Sequence, residues 1–178
     1  MKLKHFIATS ALMAGLLVAG NWTADTAKAK ISFSVKGPFG TVHGDFTGLK
    51  ATIKFDEKDL GGSSIEASVD AKTVSTGIGM RNHDLRSKEE WLNTDKFPTI
   101  SFRSEKIEKG GNGYKALGKL TLKGVTKPVE IPFTFTGNGS TGLFKGQFTI
   151  KREDYKVGKT GGSVGSDITI SIEVPVKK

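Results

Sequence analysis

The sequence predicts an all-β fold of antiparallel strands that close into a barrel or pack as a sandwich. First, apolar and polar residues alternate with a period of two, as in GKLTLKGVTKPVEIPFTFTG at 118–137. Second, glycine-rich turn segments such as GPFG, KGGNG and GNGSTG separate these runs. Third, each run has one polar face, which is typical of antiparallel sheets with one solvated face. A closed barrel also leaves no exposed sheet edge.

The alternation predicts about eight strands, at 30–36, 41–55, 63–72, 98–107, 113–123, 126–137, 142–152 and 165–177. The second of these contains a change of parity. Val42 and Phe46 are at even positions, whereas Leu49 and Ile53 are at odd positions. Because neighbouring residues of a strand face opposite sides, the change predicts a bulge or sharp bend at Gly48.

The segment RNHDLRSKEEWL, residues 81–92, lacks the strand pattern. We expect one or two short helical turns here, near one end of the barrel. Ser87 followed by Glu90 has the spacing of a capping box, which marks a helix N-terminus. Pro98 then restarts an extended chain.

The N-terminus has the pattern of a secretory signal peptide. Lys2 and Lys4 precede an apolar stretch from Phe6 to Val18, and small residues follow at Ala19 and Gly20. We therefore expect a signal peptide at 1–20, a single domain at 21–178, and a periplasmic or secreted protein. The AKA at 27–29 is a second cleavage candidate. The chain contains no cysteine, so an exported form must be stable without disulfides.

The chain is basic. Its formal charge is +9, and removing the two lysines of the signal peptide, which has no acidic residue, leaves 9 − 2 = +7. A basic surface serves solubility, and it also favours contact with an anionic membrane surface or a phosphorylated ligand. The lysines are dispersed along polar strand faces instead of being clustered with aromatic residues, so we expect no nucleic-acid partner.

The sequence shows little catalytic chemistry. His43 and Asp45 share one strand face but have no second pair nearby, so we expect no metal site. We see no nucleophile elbow and expect no catalytic residues. The segment VGKTGG at 157–162 contains the GKT of a phosphate loop, but Glu153 occupies the position of the first glycine. We interpret this segment as a hairpin loop.

Several stretches together resemble the YceI-like family of exported, polyisoprenoid-binding, lipocalin-like proteins. They are WTADTAKAKISFSVKG, GDFTGLKATIKFD, RNHDLRSKEEWLNTDKFPTISFRS, GKLTLKGVTKPVEIPF and FTIKREDYKVG. The resemblance spans nearly all of residues 22–178 and favours a mature chain that begins near Asn21 or Trp22. It implies an eight-stranded lipocalin-like barrel with one or two short helices near one end. The family's Arg-Asp-x-His-Leu motif corresponds to Arg81, Asn82, Asp84 and Leu85, and implies a polar cavity mouth at the first three.

An eight-stranded barrel is either just filled by its side chains or holds one small ligand. Small residues at inward positions, among them Ala51, Ala67, Ala116, Gly118 and Gly146, are compatible with both alternatives, and the resemblance favours a cavity. The expected lining residues are Phe33, Val35, Phe46, Ile53, Phe55, Val69, Leu85, Trp91, Phe102, Ala116, Gly118, Leu120, Leu122, Ile131, Phe133, Phe135, Phe144, Phe148, Ile170 and Ile172.

The function that we expect is non-enzymatic binding and transport of a long apolar molecule, a polyisoprenoid or another lipid, in an elongated cavity. No cofactor is expected besides this ligand. Two alternatives stay open: a barrel-type isomerase or cyclase that acts on a lipid in the same pocket, and a stress-related interaction protein with a filled barrel. The sequence is compatible with a monomer or a homodimer.

Overall fold

The computed structural model describes residues 20–178, and the predicted signal peptide lies almost entirely outside this range. The strands are β1 (Asn21–Ala24), β2 (Lys30–Gly37), β3 (Gly40–Phe46), β4 (Lys50–Lys54), β5 (Ser64–Asp70), β6 (Thr99–Gly110), β7 (Gly113–Leu122), β8 (Val125–Gly137), β9 (Thr141–Lys151) and β10 (Asp167–Lys177). One α-helix, α1 (Gly79–Ser87), follows β5. Two short 3₁₀ turns lie at Ala71–Thr73 and Arg152–Tyr155. Among the described residues, no helix has the length and apolarity needed to cross a bilayer.

The strands form a closed antiparallel barrel with eight strand positions. From β4 to β10 the hydrogen-bonded order is β4-β5-β6-β7-β8-β9-β10, and β1 closes the ring by pairing with both β4 and β10. β2 follows β1 along the same edge of β10, and β3 lies beside β2. β1 and β2 thus share one strand position, and β3 and β4 share the next. The predicted barrel of eight antiparallel strands is confirmed.

The predicted bend at Gly48 is confirmed. Gly48 has φ = +71°, a backbone conformation that side chains other than glycine rarely adopt, and it separates β3 from β4. The bend moves the chain from its pairing with β2 to its pairing with β1, and it resets the face on which apolar residues lie. Before the bend, the edge of β3 that faces away from β2 forms an isolated bridge between Asp45 and Ser75.

β1 is a strand that the alternation pattern did not predict, because its four residues are too few to show a period. Trp22 holds it in place. Its ring is buried, and its indole N–H donates to the carbonyl oxygen of Phe55 at 3.0 Å. This short strand is nevertheless the one that closes the barrel.

The helix differs from its predicted position. The one or two helical turns expected within 81–92 form at its start, because α1 covers Gly79–Ser87 and turns follow at 88–97. The predicted capping box is wrong, since Ser87 is the last helical residue and its hydroxyl donates to the carbonyl oxygen of His83 at 2.9 Å. Ile78 is the N-cap residue of α1, and its side chain makes no capping hydrogen bond.

The barrel interior is divided into two halves. In one half lies the aromatic cluster, which we define as Trp22, Phe55, Tyr114, Phe133, Phe135 and Phe144. Phe55 is its centre, with ring centroids 5.0–5.6 Å from those of Tyr114, Phe133, Phe135 and Phe144. Such tilted and edge-to-face contacts add stability beyond the area that they bury. We call this half the aromatic end, and the opposite half, which carries α1 and the loop at 156–166, the helical end.

Candidate functional site

A cavity of about 200 Å³ lies inside the barrel at the helical end. Its wall comes from β2, β5, β6, β7 and β10 together with α1 and the loops that cover this end. Nearly all of the lining side chains are aliphatic or aromatic. The exceptions are the hydroxyls of Ser32, Ser68 and Ser101 and the guanidinium of Arg152. The chemistry of this wall suits an apolar guest.

Arg152 fixes the loop that covers the cavity. Its side chain is only 2% exposed. The guanidinium donates to the carbonyl oxygens of Gly165 at 2.9 Å, Val157 at 2.9 Å, Val164 at 2.7 Å and Lys159 at 3.1 Å. Because backbone carbonyls occupy its donors, Arg152 builds the wall and has none left to bind a ligand headgroup.

The same loop packs closely against the turn after α1. Gly158 has φ = +72°, and a Cβ atom there would lie 2.7 Å from both the Trp91 ring and the Arg152 guanidinium. Its N–H donates to the carbonyl oxygen of Glu90 at 2.6 Å. Glycine is therefore required by the contact between these two covering segments. In the structure, VGKTGG is part of the connection between β9 and β10, with no strand–loop–helix context for a phosphate.

α1 contributes Leu85 to the cavity wall and is held by polar contacts on its other side chains. Asn82 Oδ1 accepts hydrogen bonds from the Thr76 N–H at 2.8 Å and the Thr76 hydroxyl at 2.7 Å. Arg86 Nη2 donates to the carbonyl oxygen of Val74 at 2.7 Å. These bonds attach the helix to the segment that links it to β5.

The polar mouth that the resemblance implied is not part of the cavity wall. Arg81, Asn82 and Asp84 are absent from the lining. Asn82 binds Thr76, and Asp84 forms an ion pair with Lys88 at 2.8 Å. That hydrogen bond and the charge of Asp84 raise the pKa of Lys88. The helix turns Leu85 towards the cavity, and of the three polar residues Asn82 attaches the helix to the preceding segment.

The structure places the predicted lining residues in two groups. Those on the wall of the cavity are Phe33, Val35, Phe46, Val69, Leu85, Trp91, Phe102, Leu120, Leu122, Ile170 and Ile172. Those away from it are Ile53, Phe55, Ala116, Gly118, Ile131, Phe133, Phe135, Phe144 and Phe148. The second group lies in or beside the packed core of the aromatic end, apart from Phe148, which packs against both halves. Strand parity identifies the inward face, but it carries no information on position along the barrel axis.

The aromatic cluster packs the lumen at one end, and the cavity lies at the other. The elongated shape of the cavity stays a prediction. Sequence reasoning also missed several wall residues, including Ile31, Leu49, Val74, Ile150 and Arg152. Ile31 and Ile150 share the inward parity of their strands, Leu49 immediately precedes β4, and Val74 follows the 3₁₀ turn after β5. Nothing in the local pattern marks Arg152 as buried.

Burial shifts the pKa of two ionisable groups near the helical end, Lys123 and Tyr155. Lys123, in the turn between β7 and β8, donates to the carbonyl oxygen of Lys156 at 2.6 Å, and partial burial lowers its pKa. Burial raises the pKa of Tyr155. His43 and Asp45 lie on β3, and residues 20–178 contain no group of three or more His, Asp or Glu side chains suited to hold a metal ion.

Comparison with known proteins agrees with this architecture. The model of the YceI-like domain matches residues 22–176. A UPF0312 protein of Yersinia enterocolitica is 31% identical over 170 residues, which cover 90% of this chain and 88% of the relative. The crystal structure of Burkholderia cenocepacia BcnA is similar with a TM-score of 0.80 and 30% identity, covering 86% of this chain and 99% of BcnA.

A more distant structure has the same fold. It is a polyisoprenoid binding domain from Saccharophagus degradans, with a TM-score of 0.66 and 14% identity over 88% of this chain and 97% of the domain. Since the family model spans most of the chain and a relative is 31% identical over nearly its full length, this protein belongs to the YceI-like family.

Proposed function

We propose that this protein binds a polyisoprenoid or another lipid in its barrel without transforming it, and carries it outside the cytoplasm. The observation that carries the proposal is the apolar cavity at the helical end. The similarity to a domain described as polyisoprenoid-binding supports the class of ligand. Burial of about 0.8 kcal/mol per methylene provides affinity without a polar recognition group.

The composition of the wall favours binding over catalysis. Among the described residues that line the cavity, none is a histidine, aspartate, glutamate or lysine, and the one arginine is engaged with backbone carbonyls. An isomerase or cyclase would need a group that moves a proton or stabilises a charge at the reacting atoms. The alternative of a barrel enzyme therefore has less support than a binding protein.

Mass spectrometry of lipid that copurifies with the exported protein tests the proposal. We expect an intact apolar molecule, released by organic extraction and taken up again by the stripped protein. A lipid that is chemically altered after incubation would identify an enzyme. A protein that neither carries nor takes up any lipid would be the filled-barrel interaction protein.

We also propose that the helical end contacts an anionic membrane surface when the ligand is exchanged. The exposed large hydrophobic residues of the described chain are Phe39, Ile78 and Met80. Phe39 is in the turn of the β2–β3 hairpin, beyond the Gly37–Gly40 pair, and Val35 of the same hairpin lines the cavity. Ile78 and Met80 flank the start of α1. An apolar tip on a basic protein has the properties of a peripheral membrane contact.

Sedimentation with phosphatidylglycerol vesicles at low and high salt tests this contact. Phe39→Ser and Met80→Ser are expected to weaken vesicle binding, and high salt to weaken it further by screening the charges. Asn112→Ser, in the turn at the aromatic end, is the matched control and should bind as the wild type does. Equal binding by all three variants would refute a contact through the helical end.

A further inference from the structure

The antiparallel pairing of β8 with β9 stops partway along the two strands. In the part of the chain that the structure describes, it extends only as far as Phe133 and Gly146. Residues 125–132 and 147–151 keep their pairing with β7 and β10 but do not pair with each other. We call these two facing edges the seam. It runs to the helical end, where Lys123, in the turn before β8, donates to the β9–β10 loop.

Two prolines explain why the pairing stops. The β7–β8 turn contains two residues and its closing pair is Leu122 and Val125, so Val125 and every second residue after it bond to β7. The residues between them direct their backbone groups towards β9. Pro132 is the first of these beyond the paired part, and Pro128 is the next but one. Since neither has an N–H to donate, the sequence itself keeps this edge of β8 unpaired.

Lys127 is a cation on the inner face of β8, beside the seam. The other inner residues of this stretch, Val125, Val129 and Ile131, are apolar and pack into the barrel interior. Lys127 is half-buried, and none of the ion pairs within residues 20–178 includes it. Because a buried charge without a partner is costly, a cation at this place needs the water or the anion that an unpaired edge admits.

A row of paired residues connects Lys127 to the cavity. Ala67 pairs with Phe102 and Phe102 pairs with Leu120, and all three line the cavity. Leu120 in turn pairs with Lys127. The Cβ atoms of directly paired residues lie about 5 Å apart. The Lys127 ammonium is therefore within about one side-chain length of a guest that touches Leu120.

We propose that Lys127 binds the anionic headgroup of an amphiphilic guest, whose apolar chain occupies the cavity and whose head lies in the seam. This inference rests on the proposed function and names the chemical class of the ligand, a long apolar chain that ends in a carboxylate or a phosphate. Burial of the chain gives affinity for any lipid. A charge-assisted hydrogen bond from Lys127 then favours an anionic lipid over a neutral one.

Titration calorimetry of the lipid-stripped mature protein with two matched pairs of ligands tests this inference. The pairs are dodecanoate with dodecanol, and farnesyl phosphate with farnesol. The members of a pair share their chain and differ in the headgroup. The wild type should bind the anion about tenfold more tightly than the alcohol in at least one pair. The pair with the larger ratio identifies whether a carboxylate or a phosphate is preferred.

Substitution of Lys127 separates its charge from its bulk. Lys127→Met should reduce the preference for the anion to within about twofold and leave the affinity for the alcohol unchanged. Lys127→Arg should retain most of the preference, because it keeps the charge. Lys119→Met is the matched control. Lys119 is exposed on the neighbouring strand and pairs with Glu105 at 2.8 Å, so its loss changes the net charge equally but should keep the preference.

Amide hydrogen exchange checks the seam itself. The N–H groups of Thr126 and Glu130 face the unpaired edge, whereas those of Lys127 and Val129 bond to β7. The first two should exchange at least about tenfold faster than the second two. Equal protection of all four amides would show a continuous wall and overturn the inference.

The binding outcomes separate the two proposals. Equal affinities for anion and alcohol in both pairs would overturn the headgroup site and leave the binding function intact. The same holds if Lys127→Met keeps the preference, or if Lys119→Met loses it as well. No binding of any of the four ligands would instead reject the proposed function.

Discussion

At the scale of single residues, Tyr114 connects the aromatic cluster to a carboxylate. Its ring stacks on Phe133 with centroids 5.5 Å apart, and its hydroxyl donates to Glu57 Oε1 at 2.6 Å. This hydrogen bond, together with burial and the charge of Glu57, raises the pKa of Tyr114 to about 12. The folded protein thus binds the phenolic proton more tightly than the unfolded chain, whose tyrosine pKa is about 10.

The sign of the resulting pH dependence follows from this difference in pKa. The stabilisation is complete below about pH 10 and is lost as the pH rises towards 12. Between pH 9 and pH 11 the wild type should lose about 1 kcal/mol more free energy of unfolding than Tyr114→Phe. Urea unfolding of the wild type and Tyr114→Phe at the two pH values measures the loss in each protein. Equal losses in the two proteins would show that Tyr114 does not carry the effect.

Small residues show where sequence reasoning at this scale fails. Ala116 and Gly118 have the inward parity expected, but Ala116 is packed in the core of the aromatic end and is 2% exposed. A Cβ atom on Gly118 would collide with the carbonyl oxygen of Arg103, beside the bulge between Ser104 and Lys106 in β6. Glycine there accommodates a close backbone approach. Of the small residues considered, Ala67 lines the cavity, and the pattern alone cannot distinguish it from the others.

At the scale of elements, the β9–β10 connection depends on one side chain. Arg152 gathers backbone carbonyls from Val157 to Gly165, and the loop contacts the turn after α1 through Gly158 and Glu90. The β9–β10 loop and the turn after α1, which both cover the cavity, are therefore joined to each other. Since this joint consists of polar contacts over an apolar space, loosening it should open the helical end and spare the aromatic end.

Arg152→Met tests this joint. The change leaves several carbonyls without their donor and should lower the free energy of unfolding by roughly 3 kcal/mol. Hydrogen exchange at the Val157, Gly158 and Gly165 amides should accelerate more than exchange in β7 and β8. Arg152→Lys is the matched control and should recover part of the loss, because an ammonium has fewer donors. A Met variant with wild-type stability and exchange would contradict this role.

The existence of the strands was the most predictable feature, because period two is visible in runs of seven residues or more. The bend at Gly48 was predictable for the same reason, from the change in parity between Phe46 and Leu49. β1 was not, since four residues show no period. The extent of α1 was not, because its polar residues bury little and its ends carry no clear cap.

At the scale of the whole molecule, closure of the barrel depends on the first few described residues. β1 pairs with β4 through Asn21 and Trp22 and with β10 through Thr23 and Ala24. Trp22 is 7% exposed and belongs to the aromatic cluster. The position at which the mature chain begins therefore decides whether the ring of strands is complete.

A chain that begins at Lys30, as cleavage after the AKA at 27–29 would give, should be much less stable than one that begins at Asn21. Loss of a buried tryptophan alone costs roughly 3–5 kcal/mol. Urea unfolding of the two forms measures the difference, and a form that begins at Trp22 serves as the control. Intact-mass analysis of the exported protein should give a start near Asn21 or Trp22. A natural start at Lys30 with full stability would refute both expectations.

The division of the lumen has a consequence for how this molecule tolerates change. The rings that hold the barrel together and the side chains that meet the guest lie on the same strands but at different heights, so they need not be altered together. Substitutions in the cavity wall can change which ligand is preferred, while the aromatic cluster keeps the chain folded. Selectivity and robustness are thus separable properties of this barrel, and a designer can vary one while holding the other fixed.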